Sequence, residues 1–312
     1  MKYQDVAAAS LAPVSPDLAV PDSVSTDHPA RRLRDAIEPL AMHAVWSPLV
    51  HERAEPLGLD FFMTYVWGRA CVLGEPTGAV VASAFGSFQP AVIAGVYDAA
   101  RGLVDRTTMV DLVWSATGES LRATLADDAG ADDDAAGQLA DRLLAAVAEL
   151  DAVGLPLFAA VQALERPADP FAALWQACLA LREHRGDIHL AAYGSAGPDA
   201  VEMNILTECW LGYPLGEYSG TRAWPEDRTA QAMASLEARG WFADGSITDG
   251  GRTARAEIEA RTDERARAAV DAIGSVSGEG GFDAVVETLA SWSDRCVAAG
   301  VFPADPRKRA AG

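Results

Sequence analysis

Positive charge is scarce in this chain. Its 312 residues carry 25 Lys and Arg against 45 Asp and Glu, a formal net charge of −20. A protein that holds nucleic acid through phosphate contacts needs a basic face, and so does one that docks on anionic lipid. Both classes are disfavoured, and nucleic acid is not the expected partner. Cysteine is also sparse. Cys71, Cys178, Cys209 and Cys296 lie far apart, and none forms a CxxC pair. That spacing excludes a zinc-finger framework and fits a reduced, cytoplasmic protein. A GxGxxG loop after a strand and a GxSxG elbow are both missing, so no nucleotide cofactor and no elbow serine is expected. A basic start followed by a long apolar run is missing too, which argues against a signal peptide. The longest uncharged stretch, Pro76 to Tyr97, contains Gly78, Gly86, Gly95 and Pro90. Two buried helices around a Phe-x-Pro turn suit it better than a membrane span.

What is present is apolar residue at helical spacing. Half the chain is hydrophobic, enough for a sizeable core. Leu33, Ile37, Leu40 and Ala44 mark one face of a helix, and similar patterns recur over 57–73, 109–125, 134–153 and 155–164. The acidic segment 126–137 reads as a linker whose Asp residues cap the next helix. From 170 onward the character changes. A helix over 171–185 is expected to break at Gly186-Asp187, with Asp187 capping a short helix 188–195. Helices over 200–212 and 225–239 follow. Trp241-Phe242, a turn at Ala243-Asp244-Gly245, and Ser246-Ile247-Thr248 read as a small β-hairpin before a long helix. Helices followed by a β-wing and a closing helix are the order of a winged helix.

The expected fold is therefore mainly α: an N-terminal helical domain plus a winged-helix-like domain with a small β-wing. The expected boundaries are a flexible tail (1–30), an N-terminal helical domain (31–165), the winged-helix-like domain (166–275), and a C-terminal helix with a basic tail (276–312). A winged helix reads DNA with its third helix, expected here within Asp199 to Leu211. No Lys or Arg occurs from Gly186 to Thr221, whereas Asp199, Glu202 and Glu208 do.

The run LWQACLALREHRGDIHLAA (174–192) resembles the hallmark of an actinobacterial family of helix-turn-helix, MarR-like proteins, close to "LW-x-A-x-x-x-LREHRGDGH". His43 resembles the histidine of an "EPLH" motif, displaced by two residues from Glu38-Pro39-Leu40. Arg69 and Gly74 are similar to "RAAPLG", Phe85, Phe88 and Pro90 to "FYxFxP", and Thr262-Asp263 to "IExxTD". The chain departs from the pattern at Val45-Trp46-Ser47-Pro48-Leu49, which replaces "YFxPE" and loses a carboxylate and a phenol. It departs again at Arg222-Ala223-Trp224, where the family has "RGW", and at Ile188, where it has glycine. The resemblance implies the helix-turn-helix fold and a setting in specialised metabolism.

The densest polar run is Arg182-Glu183-His184-Arg185-Gly186-Asp187-Ile188-His189. Histidine moves protons near neutral pH, and an adjacent carboxylate can orient it. His184 and His189 are therefore candidate proton-transfer groups, with Glu183 and Asp187 in support and Arg185 holding an anionic group. The competing reading is structural: a solvated Glu183–Arg185 pair and a capping Asp187. Arg69 lies among aromatics, and a buried Arg needs an anion, either Glu38, Glu75 or a ligand. His43, Arg69, Arg185, Trp46, Phe85, Phe88 and Tyr193 are candidate substrate-binding residues. If a metal were held, His43, His184, His189 and Glu202 would be its ligands, although no local spacing demands one. The favoured function is cofactor-independent acid–base catalysis on a small hydrophobic or aromatic metabolite, such as a cyclisation, isomerisation or elimination, in an interdomain pocket. The alternative is a non-catalytic ligand-binding or MarR-like ligand-responsive protein, and a metal enzyme comes third. Phe282 to Ala299 is a candidate homodimer helix.

Overall fold

The computed structural model describes residues 1–15, 18–21, 24, 27–128, 130–278 and 280–311. Eleven helices come before the winged portion of the chain: α1 (Tyr3–Ser10), α2 (Pro29–Ala41), α3 (His43–Trp46), α4 (Pro48–Ala54), α5 (Phe61–Ala70), α6 (Gly78–Phe85), α7 (Pro90–Leu103), α8 (Arg106–Leu125), α9 (Asp133–Ala148), α10 (Pro156–Gln162) and α11 (Pro170–Ala196). There follow α12 (Ala200–Trp210), α13 (Glu226–Ala238), the strands β1 (Phe242–Ala243) and β2 (Ser246–Ile247), α14 (Asp249–Val276), α15 (Gly281–Ala298) and α16 (Arg307–Ala310). The fold is mainly α with one two-stranded sheet among the described residues. No described helix is long and apolar enough to cross a membrane.

Part of the acidity has a local use. Asp60, Asp105, Asp132, Asp169 and Asp199 each stand immediately before a helix and accept a backbone N–H of its first turn. Each such cap stabilises its helix by about 1 kcal/mol. Asp199 and Glu202 complete a reciprocal capping box on α12. The wing is a tight antiparallel hairpin pairing Phe242 with Ile247. Its turn residues Asp244 (φ 51°) and Gly245 (φ 74°) both take the positive φ that a two-residue primed turn requires.

Helix α11 is the axis of the molecule. Its buried residues point in every direction, from Phe171 and Trp175 through Leu181 to Ile188 and Ala192, as expected of a helix surrounded by others. It packs on α2, α8, α9, α10 and α14. The main core does not stop near residue 165. It runs from Ala30 in α2 through Leu174 and Leu181 in α11 to Ile273 in α14 and Trp292 in α15. A second, small core joins Val201, Ile205 and Leu206 of α12 to Leu236 of α13 and to Phe242 and Ile247 of the wing.

Two local expectations are corrected. The chain does not break at Gly186-Asp187, because α11 is continuous from Pro170 to Ala196. A mid-helix glycine costs about 1 kcal/mol, and burial of this helix on all sides outweighs that. Asp187 consequently caps no helix that follows it. Its Oδ2 instead accepts the Phe158 amide in the first turn of α10, at 3.0 Å, so it supplies that helix with an N-terminal acceptor from a neighbour. The second correction concerns the reading helix. Helix α12 is buried over most of its length, and the helix immediately preceding the wing is α13.

Candidate functional site

The charged motif of α11 is distributed around the helix. Successive residues advance about 100°, so Arg182 and Glu183 face α2 and α5, Arg185 and His189 face α14, and His184 and Asp187 face α10.

The first side forms the floor of a cleft. Arg69 of α5 grips Glu183 with two hydrogen bonds, Nε to Oε1 at 2.8 Å and Nη2 to Oε2 at 2.7 Å. Arg182 donates to Glu38 of α2 at 3.0 Å and also lies 3.5 Å from Glu183. Burial alone would raise the Glu183 carboxyl, but Arg69 and Arg182 outweigh it and hold the group below the ordinary carboxylate range. Glu38 is the opposite case: burial raises it, and Arg182 only partly offsets that. Above these pairs, Met42, Val45, Val50, Tyr65, Val113, Trp175 and Leu179 wall a half-open cleft of about 40 Å3. A water needs roughly 10–15 Å3, so the cleft as it stands has room for a few waters.

The second side is a buried ionic hub. Arg185 pairs with Glu259 and lies 2.9 Å from Asp263. Arg255 reaches Glu259 at 2.7 Å, and Arg31 reaches Asp263 at 2.7 Å. Arg34 stands 3.5 Å from Glu259 and pairs with Asp35 at 2.8 Å. Burial would raise Glu259, yet Arg255, Arg185 and Arg34 hold it well below the ordinary range. His189 sits among these cations with its Nδ1 3.0 Å from Thr262 Oγ1. Burial, reinforced by Arg255, pushes it down to about 3, so it is neutral at physiological pH.

On the third side, His184 stacks edge-on against Phe158, with ring centroids 4.8 Å apart. Burial, with Arg265 adding, lowers it to about 4. Asp187 moves the other way, pushed by burial up to about 6 despite the Phe158 amide.

The sequence candidates thus fall into separate environments. Glu183 and Arg69 meet. His184 and His189 do not, because five residues along an unbroken helix put them about 140° apart. His43 is fully buried between α8 and α15, 2.9 Å from Ser120 Oγ, with Cys296 Sγ 3.8 Å from its Nδ1. Burial brings it down to about 4. Phe85 lies under the Arg69 guanidinium at 4.5 Å. Phe88 lies between Tyr65 and Arg222. Tyr193 bonds Gly86 O at 3.4 Å. Trp46 stands beside Phe61, its carbonyl taken by Tyr3. Glu202 is occupied in the α12 capping box. The four conditional metal ligands, His43, His184, His189 and Glu202, are dispersed, and no group of three potential ligands converges among the described residues. Sequence reasoning passed over Arg182 as a site residue and missed Glu259 altogether. Charged residues at i, i+4 inside an otherwise apolar helix face, such as Arg255 and Glu259 beside Ile258, were the available signal.

A further junction links the cleft to the winged portion. The turn between α6 and α7 carries Phe85, Gly86, Ser87 and Phe88. Ser87 O accepts both Asn204 Nδ2 at 2.9 Å and Trp224 Nε1 at 3.0 Å. The Gln89 amide donates to Arg222 O at 3.0 Å. Gly86 has φ +66°, and a Cβ there would lie 2.4 Å from Leu190 Cδ2.

The helix before the wing, the wing itself and the helix after it stand in winged-helix order, and the profile of a helix-turn-helix family matches residues 30–303. The chain belongs to this helix-turn-helix family. No curated protein matches it, nor does any solved structure. Within the helix-turn-helix portion, the outward face of α13 offers Glu226, Asp227, Gln231 and Glu237. Its Arg228 pairs with Asp199 at 2.9 Å, and Arg239, just beyond it, lies 3.5 Å from Glu202.

Proposed function

We propose that this helix-turn-helix protein is a small-molecule binder that responds through its winged portion, rather than an acid–base catalyst built on His184 and His189. The observation carrying this reading is the cleft over Arg69, Arg182 and Glu183. It combines an apolar and aromatic wall with a few convergent polar groups, the usual make-up of a ligand site. The two histidines expected to transfer protons sit in different surroundings, each held neutral, and neither lines that cleft. The turn 85–89 touches the cleft through Arg69 and Tyr65 and touches the segment before α13 through Arg222 and Trp224. That contact favours a responsive protein over a passive carrier. The acidic face of α13 repels phosphate, so the response is read by something other than a tight contact with DNA.

The test is a melting-temperature screen of the full chain against small aromatic compounds, repeated on Leu179→Trp, which fills the cleft without touching an ion pair. Stabilisation lost in the Trp variant is expected. Stabilisation unchanged in that variant, or no stabilising compound at all, would refute the reading.

A further inference from the structure

The two guanidiniums of the cleft are presented unequally with their carboxylate partners. The Arg69 side chain is 17% exposed and Arg182 20%, whereas Glu183 is 1% exposed and Glu38 5%. Arg69, Arg182 and Glu183 all line the cleft, the two arginines more exposed than the carboxylate, and Glu38 lies outside the lining. Both guanidiniums also converge on one atom. Arg69 Nε is 2.8 Å and Arg182 Nη1 3.5 Å from Glu183 Oε1. Glu183 thus holds two cationic donors side by side. Guanidinium is planar and matches a carboxylate in a two-pronged geometry. Phe85 backs the Arg69 plane at 4.5 Å and keeps it from turning.

We propose that the ligand of this cleft is a flat organic carboxylate, its carboxylate bound by Arg69 and Arg182 and its apolar body lying against Met42, Tyr65, Trp175 and Leu179. The inference rests on the small-molecule reading above and adds the chemical class. A neutral ligand would leave two exposed donors without new acceptors. A cation would face two guanidiniums. A polyphosphate would meet a wall that is almost entirely apolar. The cleft of about 40 Å3 has room for a carboxylate head. The body requires Met42, a flexible side chain, to yield at the mouth. The charge balance is also workable. Arg69 and Arg182 outnumber Glu183 in the lining, and Glu38 pairs with Arg182 from outside it.

The experiment is an NMR titration of the full chain with benzoate and, separately, with benzamide, which has the same shape and no charge. Benzoate is expected to bind at least about tenfold more tightly than benzamide, the scale of a charge-assisted against a neutral contact. Arg69→Lys and Arg182→Lys are each expected to abolish that preference by weakening benzoate alone, with circular dichroism confirming that both variants fold. If either variant fails to fold, Leu179→Trp takes its place, and it is expected to exclude both compounds. Equal affinity for the two compounds would overturn the carboxylate inference and leave the small-molecule reading standing. A preference for benzoate that survives in both Lys variants, or in Leu179→Trp, would overturn it as well, by placing the anion elsewhere. Binding of neither compound would overturn the inference, while the melting-temperature screen decides the reading it rests on.

Discussion

Replacing Asp187 with Asn is expected to stabilise the protein at pH 8 and to change little at pH 4. Asp187 is 3% exposed, its Oδ2 accepts the Phe158 amide, and its Oδ1 has no hydrogen-bond partner among the described residues. Burial is the largest influence on the carboxyl and raises it from 3.8 to about 6, with the Phe158 amide pulling the other way. A carboxyl whose folded pKa exceeds its unfolded value binds its proton more tightly in the folded chain. Its contribution is fully present below about pH 4, is lost as the pH climbs towards 6, and does not change further above that. The interval from 3.8 to about 6, at about 1.4 kcal/mol per pH unit, is worth about 3 kcal/mol. Residual solvation of the carboxyl brings this to about 2 kcal/mol. Asn retains an oxygen for the Phe158 amide and carries no charge to bury. Urea unfolding of both proteins at the two pH values, with equal slopes, isolates the effect, because every other titrating group cancels in the comparison. The expected gap is about 2 kcal/mol in favour of Asn at pH 8, shrinking to about 0.5 kcal/mol at pH 4. A variant less stable than the parent at pH 8 would refute the reasoning. So would a gap that ignores pH.

Three further outcomes follow from the same geometry. Glu259→Gln leaves Arg34, Arg185 and Arg255 facing one another in the interior and is expected to destabilise the fold by about 3–5 kcal/mol in denaturant unfolding. Asp141→Asn, opposite Arg166 in an exposed pair, is expected to stay within about 0.5 kcal/mol, and equal losses at the two sites would contradict the account of the hub. Gly86→Ala places a side chain on a residue with φ +66° against Leu190, with an expected loss of about 1–2 kcal/mol measured in the same way; an unchanged midpoint would show that the turn is not fixed. Finally, fluorescence anisotropy with a labelled duplex at about 150 mM salt is expected to give a Kd no tighter than about 0.1 mM. A submicromolar Kd that disappears on reversing Arg228 would restore α13 as a DNA-reading helix.

Local features of the fold were legible in the sequence because their causes are local. The two helices around the Phe-x-Pro turn at 88–90 and the hairpin at Asp244-Gly245 are set by glycine, proline and aspartate, whose conformational preferences act over two or three residues. The reading failed where burial overrode such a signal. Gly186-Asp187 has the composition of a turn, yet it lies inside α11, where packing on every side keeps the helix continuous. The need of Arg69 for an anion was also legible, but not which anion. Its partner Glu183 is 114 residues away, and Glu38, the nearer-looking choice, turns to Arg182 instead. Closeness in sequence misled in the other direction for His184 and His189. Six titratable residues within eight consecutive positions look like one site, whereas an unbroken helix distributes them to three sides.

That distribution constrains how a ligand could act. On the hub side, α11 is tied to α14 and α2 through Arg185, Arg31, Arg34 and Arg255, all converging on Glu259 and Asp263. Separating any one of these buried charges from its partners is expensive, because it leaves a charge desolvated and unpaired. Helix α11 therefore cannot shift to carry a signal from the cleft without breaking the hub. The turn 85–89 has no such restraint. It is held to the winged portion by hydrogen bonds to Ser87 O, by the Gln89–Arg222 backbone bond and by ring contacts of Phe88. Each of these is worth about 1 kcal/mol, so a small displacement of Arg69 over Phe85 can change them one at a time. The buried ionic hub thus ties α11 to α14 and α2, whereas the aromatic turn meets the winged portion only through single hydrogen bonds and ring contacts.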